Sequence, residues 1–313
     1  MKEMSRIEHM LVSRRGALWK EICVAAFTVH IDDSGTDPCQ KVAIASALII
    51  PADRIVPLEG EWNKLKETEE FKCFHMSEFA ARNPKSEFAG WSDEKQARVV
   101  KRVRQIVRKY NVKAFSFGVL KHDYDEVIPN HLRVFTGKYH YSWAVRTVLA
   151  FIRDWAAISN VVEPLEYIFD FMGEESASNR KEVEDILAQA EEESARSGRP
   201  GMYTHYDLNR KRCELAGLQC ADVLAWTCYT QARWAYLQTP LTKLAIDCWE
   251  EFRMFRSETW LYAASIQRVH LEEWVARELK DGRSVERFRA WEKTREERRA
   301  EREKAKKQRV RKI

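Results

Sequence analysis

No uncharged apolar run in these 313 residues is long enough to cross a bilayer. The first ten residues mix charges too freely for the apolar core of a secretory signal. The expectation is a cytoplasmic protein without a membrane span. The seven cysteines include no CxxC pair, which favours reduced, mostly structural thiols over a disulfide scaffold. The glycines lack P-loop spacing, no Lys-Ser or Lys-Thr pair follows a glycine-rich turn, and neither a dinucleotide fingerprint nor an internal repeat is present. Surplus positive charge is missing from most of the chain. The net charge is +5, but residues 283–313 alone carry 14 Lys or Arg against 6 Glu. That leaves 39 basic and 42 acidic residues in 1–282, a net charge of −3. The body is no more basic than an ordinary enzyme, and the hint of a polyanion partner sits in the tail.

What is present begins with Ile22 to Gly35, ICVAAFTVHIDDSG, a β-branched and apolar run that stops at two carboxylates and a Ser-Gly turn. A lone buried carboxylate is costly to desolvate, so the acid either caps the turn or faces a cleft where a cation or substrate stabilises it. Side chains alternate along a strand, which points Asp32 and Asp33 to opposite faces. Lys41 to Ile50 reads as a second strand, long enough for an antiparallel hairpin with the first and closed by Pro51. Residues 55–70 predict a short amphipathic helix, and 92–110 a clear one with Val99, Val103, Ile106 and Val107 as its stripe. Its many basic side chains are read as a solvated face before an anion site. Val112 to Leu120 is a third strand, 138–159 a helix, and Leu165 to Phe169 a short buried strand ending in Asp170. A polar helix over 177–196 and a short strand at Met202 to Tyr206 follow. Cys213 to Leu237 is a strongly apolar helix in which Asp222 is conspicuous.

Strands and helices therefore alternate, which predicts an α/β fold, a mixed β-sheet with helices packed against it. The expected organisation is an N-terminal extension over 1–21, one domain over 22–240, a helical addition over 241–282 and a basic charged tail over 283–313.

Asp32, Asp170 and Asp222 each interrupt apolar surroundings. Two end strands, where site-bearing loops gather, and the third lies on a helix able to cross that edge. Clustered carboxylates repel one another unless neutralised, which points to divalent cations able to activate a water on a phosphodiester. Separately, each acid has an ordinary alternative: a turn cap, a loop cap, a partner for an arginine.

The segments IDDSG, LEYIFDFMG and LQCADVLAW resemble the signature segments of the DUF3800 family, prokaryotic proteins expected to adopt an RNase H-like fold. Leu218, Gln219, Ala221, Asp222 and Ala225 match its closing helix motif, FHMSEF at Phe74 to Phe79 matches its middle segment, and Asp33 stands where the family has Glu. The resemblance spans residues 22–236. It implies an RNase H-like mixed sheet whose Asp32, Glu78, Asp170 and Asp222 are both the catalytic residues and the ligands of Mg²⁺ or Mn²⁺. The supporting set around them is Asp33, Ser34, His75, Glu214 and Gln219. His75 would take a proton, bind phosphate or merely hydrogen-bond beside Glu78; Glu214 would be a nearby acid or a charge favoured by a helix N-terminus.

Other features carry blander readings. His122 to Glu126 reads as an exposed loop, Asp207 as an alternative acid after a short strand, and Cys213, Cys220 and Cys228 as packing residues. Trp226, Tyr229, Trp234 and Tyr236 follow a buried helix and read as core before base-stacking surface. The leading expectation is a divalent-metal-dependent nuclease acting on nucleic acid, with residues 283–313 adding affinity for phosphate backbones. Two alternatives stand beside it: a catalytically silent nucleic-acid-binding or interaction module of the same fold, and a metal-dependent phosphatase or nucleotide hydrolase.

Overall fold

The computed structural model describes residues 25–170, 177–210, 212–254 and 260–281, with Glu286 and Lys293 as isolated positions. The extension over 1–21 and nearly all of the tail over 283–313 lie outside the described residues. In chain order come β1 (Phe27–Ser34), β2 (Val42–Pro51), α1 (Ala52–Glu69), α2 (Met76–Ala81), α3 (Asp93–Tyr110) and β3 (Lys113–Leu120). Then follow α4 (Lys121–Val127), the single turn α5 (Arg133–Thr136), α6 (His140–Ile158), β4 (Leu165–Asp170), α7 (Ala177–Arg196) and β5 (His205–Arg210). A 3₁₀ turn (Arg212–Glu214) leads into α8 (Ala216–Leu237), followed by α9 (Lys243–Met254), β6 (Leu261–Ile266) and α10 (Arg268–Asp281).

The strands form one mixed sheet in the order β5-β4-β1-β2-β3-β6. β1, β2 and β3 make an antiparallel meander, with Ile31 opposite Ala47 and Ser46 opposite Ser116. β4 runs parallel to β1, β5 to β4, and β6 to β3. Because side chains alternate, each central strand feeds two cores. On one face Val29, Ile31, Ala47, Phe117 and Phe169 pack against Val145, Val148 and Ile152 of α6 and Val183 and Leu187 of α7. On the other, Ile44 and Leu48 meet Leu58 and Trp62 of α1, Val99 and Val103 of α3, and Val223 and Leu224 of α8. The expected mixed α/β architecture is what forms, with helices on both faces of the sheet. No helix among the described residues is long and apolar enough to cross a membrane.

Three local differences from the sequence reading have physical causes. Glu191 of α7 accepts the backbone N–H groups of Gly201 and Tyr203 at 2.5 and 2.8 Å. That holds 201–204 in turns, so the strand expected at Met202 begins only at His205. His122 to Glu126 lies on helix α4 rather than in a loop, with His122 3.1 Å from Glu126 one turn on. The stretch over 241–282, read as helical, places β6 between two helices and beside β3.

Candidate functional site

The C-terminal ends of β1 and β4 lie side by side, with Ile31 paired to Phe169, and this register sets Asp32 next to Asp170. Val29 and Ile31 of β1 face the α6 core, so Asp32 faces α8, where Asp222 sits one third of the way along the helix. β1 stops at Gly35, whose φ of +78° favours glycine, and a Cβ there would come within 2.0 Å of the Val42 carbonyl oxygen. The turn thus requires glycine at Gly35, as the Ser-Gly signal implied.

Between the three acids lies the guanidinium of Arg212, contributed by the 3₁₀ turn that joins β5 to α8. Its Nη2 donates to Asp170 Oδ2 at 2.8 Å and to Asp32 Oδ1 at 3.1 Å, and its Nη1 stands 3.4 Å from Asp222 Oδ1. The Arg212 backbone N–H also donates to Asp170 Oδ1, at 2.9 Å. Arginine suits this position because its planar fork serves several carboxylates at once and keeps its proton when buried. Asp222 is further engaged: its Oδ2 accepts the Met76 N–H at 2.5 Å, the first donor of α2 left without an intrahelical partner. Three positions earlier on the same face of α8, Gln219 Oε1 accepts the Phe74 N–H at 2.7 Å. These two side chains stitch the 74–76 segment to the helix.

Asp32 is fully buried, and its Oδ2 has no hydrogen-bond partner among the described residues. Burial holds the Asp32 carboxyl well above the usual carboxylate range; Arg212 opposes this, while Asp222, Asp33 and Asp170 reinforce it. Asp33 is likewise pushed up by burial, against the pull of a hydrogen bond from Thr36 and the charge of Arg212. Burial also works against the positive charge of Arg212, but the surrounding carboxylates, Asp222 and Asp32 foremost, outweigh it and hold the guanidinium above its ordinary value. Tyr141 of α6 is raised by burial and then by the nearby charges of Asp33, Asp32 and Asp170.

The remaining sequence-predicted residues are more scattered. Glu78 is half exposed and stands 3.4 Å from His75 Nδ1. His75 Nε2 lies 3.9 Å from Asp222 Oδ1, at the margin of the cluster. Asp33 accepts the Thr36 hydroxyl at 2.5 Å, on the face of the sheet opposite Asp32. Ser34 closes β1, and Glu214 is exposed in the 3₁₀ turn rather than on α8. Asp207 lies within β5, paired with Ile168 of β4, and its Oδ1 accepts the Asn209 N–H at 2.8 Å.

The ligand set expected for Mg²⁺ or Mn²⁺, Asp32, Glu78, Asp170 and Asp222, is not assembled. Among the described residues no three His, Cys, Asp or Glu side chains form a group able to hold a metal ion. The physical reason is Arg212: a cation of the chain itself neutralises the three aspartates, and Glu78 pairs with His75 instead of completing the ring. The donor set does not fit a divalent ion. The expectations of a metal-binding site, of a metal-dependent nuclease or other hydrolase, and of a metal-dependent phosphatase or nucleotide hydrolase are corrected accordingly.

Two features escaped the sequence reading. Arg212 sits in the charged run NRKRCE, where nothing in the pattern marks which basic side chain turns inward. Cys213, beside it, forms a disulfide with Cys73, 140 residues earlier and two positions before His75. Cys39, Cys220, Cys228 and Cys248 are free thiols. The basic helix α3 is also resolved: Arg98 pairs with Glu69, and Arg102 and Lys109 with Glu61, so much of its charge is spent on α1. No family model matches the chain, and no curated protein matches it.

Proposed function

We propose that the chain is a catalytically silent nucleic-acid-binding module built on an RNase H-like sheet, with its basic tail as the main anchor. The observation that carries this reading is the Arg212 guanidinium held among Asp32, Asp170 and Asp222. An acid cluster neutralised from within is a structural device, and among the described residues it leaves no carboxylate set to position a hydrolytic water. The meander β3-β2-β1, continued by parallel β4 and β5, supports the RNase H-like reading. With it goes the likeness of IDDSG, LEYIFDFMG and LQCADVLAW to the DUF3800 family. The partner is argued from charge: residues 283–313 carry 14 basic against 6 acidic side chains, and such segments bind phosphate backbones without reading sequence.

The test is fluorescence anisotropy of the full chain with labelled single-stranded DNA and RNA, in EDTA and again in Mn²⁺, with the strands checked for integrity afterwards. Equal binding in both buffers and intact strands are expected. Strand cleavage that needs Mn²⁺ and disappears in Asp32→Asn would overturn the reading.

A further inference from the structure

A second locus lies apart from the Arg212 cluster, where the β1–β2 turn meets the start of α4 and of α6. It is a cleft of about 970 Å³ whose lining includes Lys41, Lys121, His122, His140, Asn179 and Cys39. Lys41 immediately precedes β2 and Lys121 follows β3 as the first residue of α4, so the two meet where the paired strands end. Val42 pairs with Leu120, and the Lys121 N–H donates to the Lys41 carbonyl at 2.9 Å. Two lysines thus stand at neighbouring backbone positions at the mouth of one cleft.

The acid that lines the cleft has other partners. Asp125, which also lines the cleft, is already shared by Arg133 and His140, each at 3.1 Å. The Lys121 ammonium donates to the Asp37 carbonyl oxygen at 2.7 Å, a neutral partner that takes one of its three N–H groups. Burial pulls the Lys121 amine below its ordinary value, and the opposing charges of Asp37, Cys39, Asp125 and Asp33 do not fully offset it. Asn179 adds an amide whose Oδ1 is buried without a hydrogen-bond partner among the described residues. A half-turn of that amide about its Cβ–Cγ bond would present its N–H₂ to an anion from the same position.

We propose that this cleft is a binding site for a small phosphate-bearing anion, held by the ammonium groups of Lys41 and Lys121 and oriented by the Asn179 amide. Phosphate fits better than a single carboxylate because two point-charge donors line one cleft, and a phosphate carries enough charge and enough oxygens to engage both. The site lies on the body of the protein and stands whether or not the tail binds nucleic acid.

The experiment is titration calorimetry of the full chain with inorganic pyrophosphate, beside Lys41→Ala/Lys121→Ala and Lys41→Arg/Lys121→Arg. Saturable binding with one site per chain is expected. The alanine pair should lose about tenfold or more in affinity, as removal of charge-assisted hydrogen bonds does, and the arginine pair should keep most of it. Circular dichroism and a thermal melt confirm that each variant is folded. Cys39, exposed on the rim, gives a second readout: pyrophosphate should slow its alkylation, followed at that residue by peptide mass mapping. A single-stranded oligonucleotide should leave pyrophosphate binding unchanged. Absence of saturable binding, equal binding by the alanine pair, or unaltered Cys39 alkylation overturns the proposal. Displacement of pyrophosphate by the oligonucleotide does so too, because the cleft would then serve a nucleic-acid backbone.

Discussion

Arg212 is the residue on which the acid cluster depends. Its side chain is 15% exposed and meets three aspartates, of which Asp32 is fully buried. Removing one partner of a buried ion pair strands the other in low dielectric, at a cost of about 3–5 kcal/mol. Arg212→Met should therefore lower unfolding stability by roughly that amount at neutral pH, measured by urea denaturation. The deficit should shrink in acid, because a protonated Asp32 no longer needs a cation. Asp32 also shapes the wild type's own pH response. Its folded pKa lies above the ordinary 3.8, so the folded protein keeps a proton that the unfolded chain has released. The stability this gives is complete below the ordinary value and is lost as the pH rises through the folded one. Asp32→Asn should flatten that decline above the ordinary 3.8, read from thermal melts. An unchanged slope would mean that Asp32 titrates normally. The three aspartates were legible in the sequence because each breaks an apolar run. Arg212 was not, because a basic residue in a basic run gives no signal of which side chain faces inward.

At the scale of elements, the strands were legible and some connections were not. Apolar alternation in β1, β2 and β3 reports burial directly, whereas the start of β5 depends on Glu191 holding turn amides from another helix. The link between the 3₁₀ turn and the segment before α2 was beyond reach for a similar reason, since Cys73 and Cys213 are 140 residues apart and share no motif. That disulfide restrains the element carrying Arg212. Closing so long a loop removes unfolded-state entropy worth about 2–5 kcal/mol. Cys213→Ser should lose stability in that range, and added dithiothreitol should destabilise the wild type but not the variant. Helix α8 offers a separate check on its packing against β1. A Cβ at Gly217 would sit 2.4 Å from Nε2 of His30, which is buried on β1. Alanine favours a helix over glycine by about 1 kcal/mol, yet overpacking here should win. Gly217→Ala is expected to lose about 1–3 kcal/mol in urea titration, and a gain in stability would show α8 less closely seated than its contacts indicate.

For the whole molecule the decisive quantity is the division of charge. Residues 1–282 are near −3 and residues 283–313 near +8, so the two parts should act oppositely on a polyanion. The body reinforces this division by consuming its own cations: Arg98, Arg102 and Lys109 on α3 pair with acids of α1, and Arg212 is enclosed by aspartates. Binding through the tail releases counter-ions, and for single strands the logarithm of the affinity falls with that of the salt concentration with a slope of about −0.7 per neutralised phosphate. The full chain should therefore bind a single-stranded oligonucleotide with a steep negative slope. A chain ending at residue 282 should bind far more weakly, with a slope near zero, because its net repulsion is itself screened by salt. Anisotropy titrations at several salt concentrations give both slopes. A truncated chain that kept the steep dependence would place the phosphate contacts on the folded body, where the paired cations of α3 are the least able to supply them.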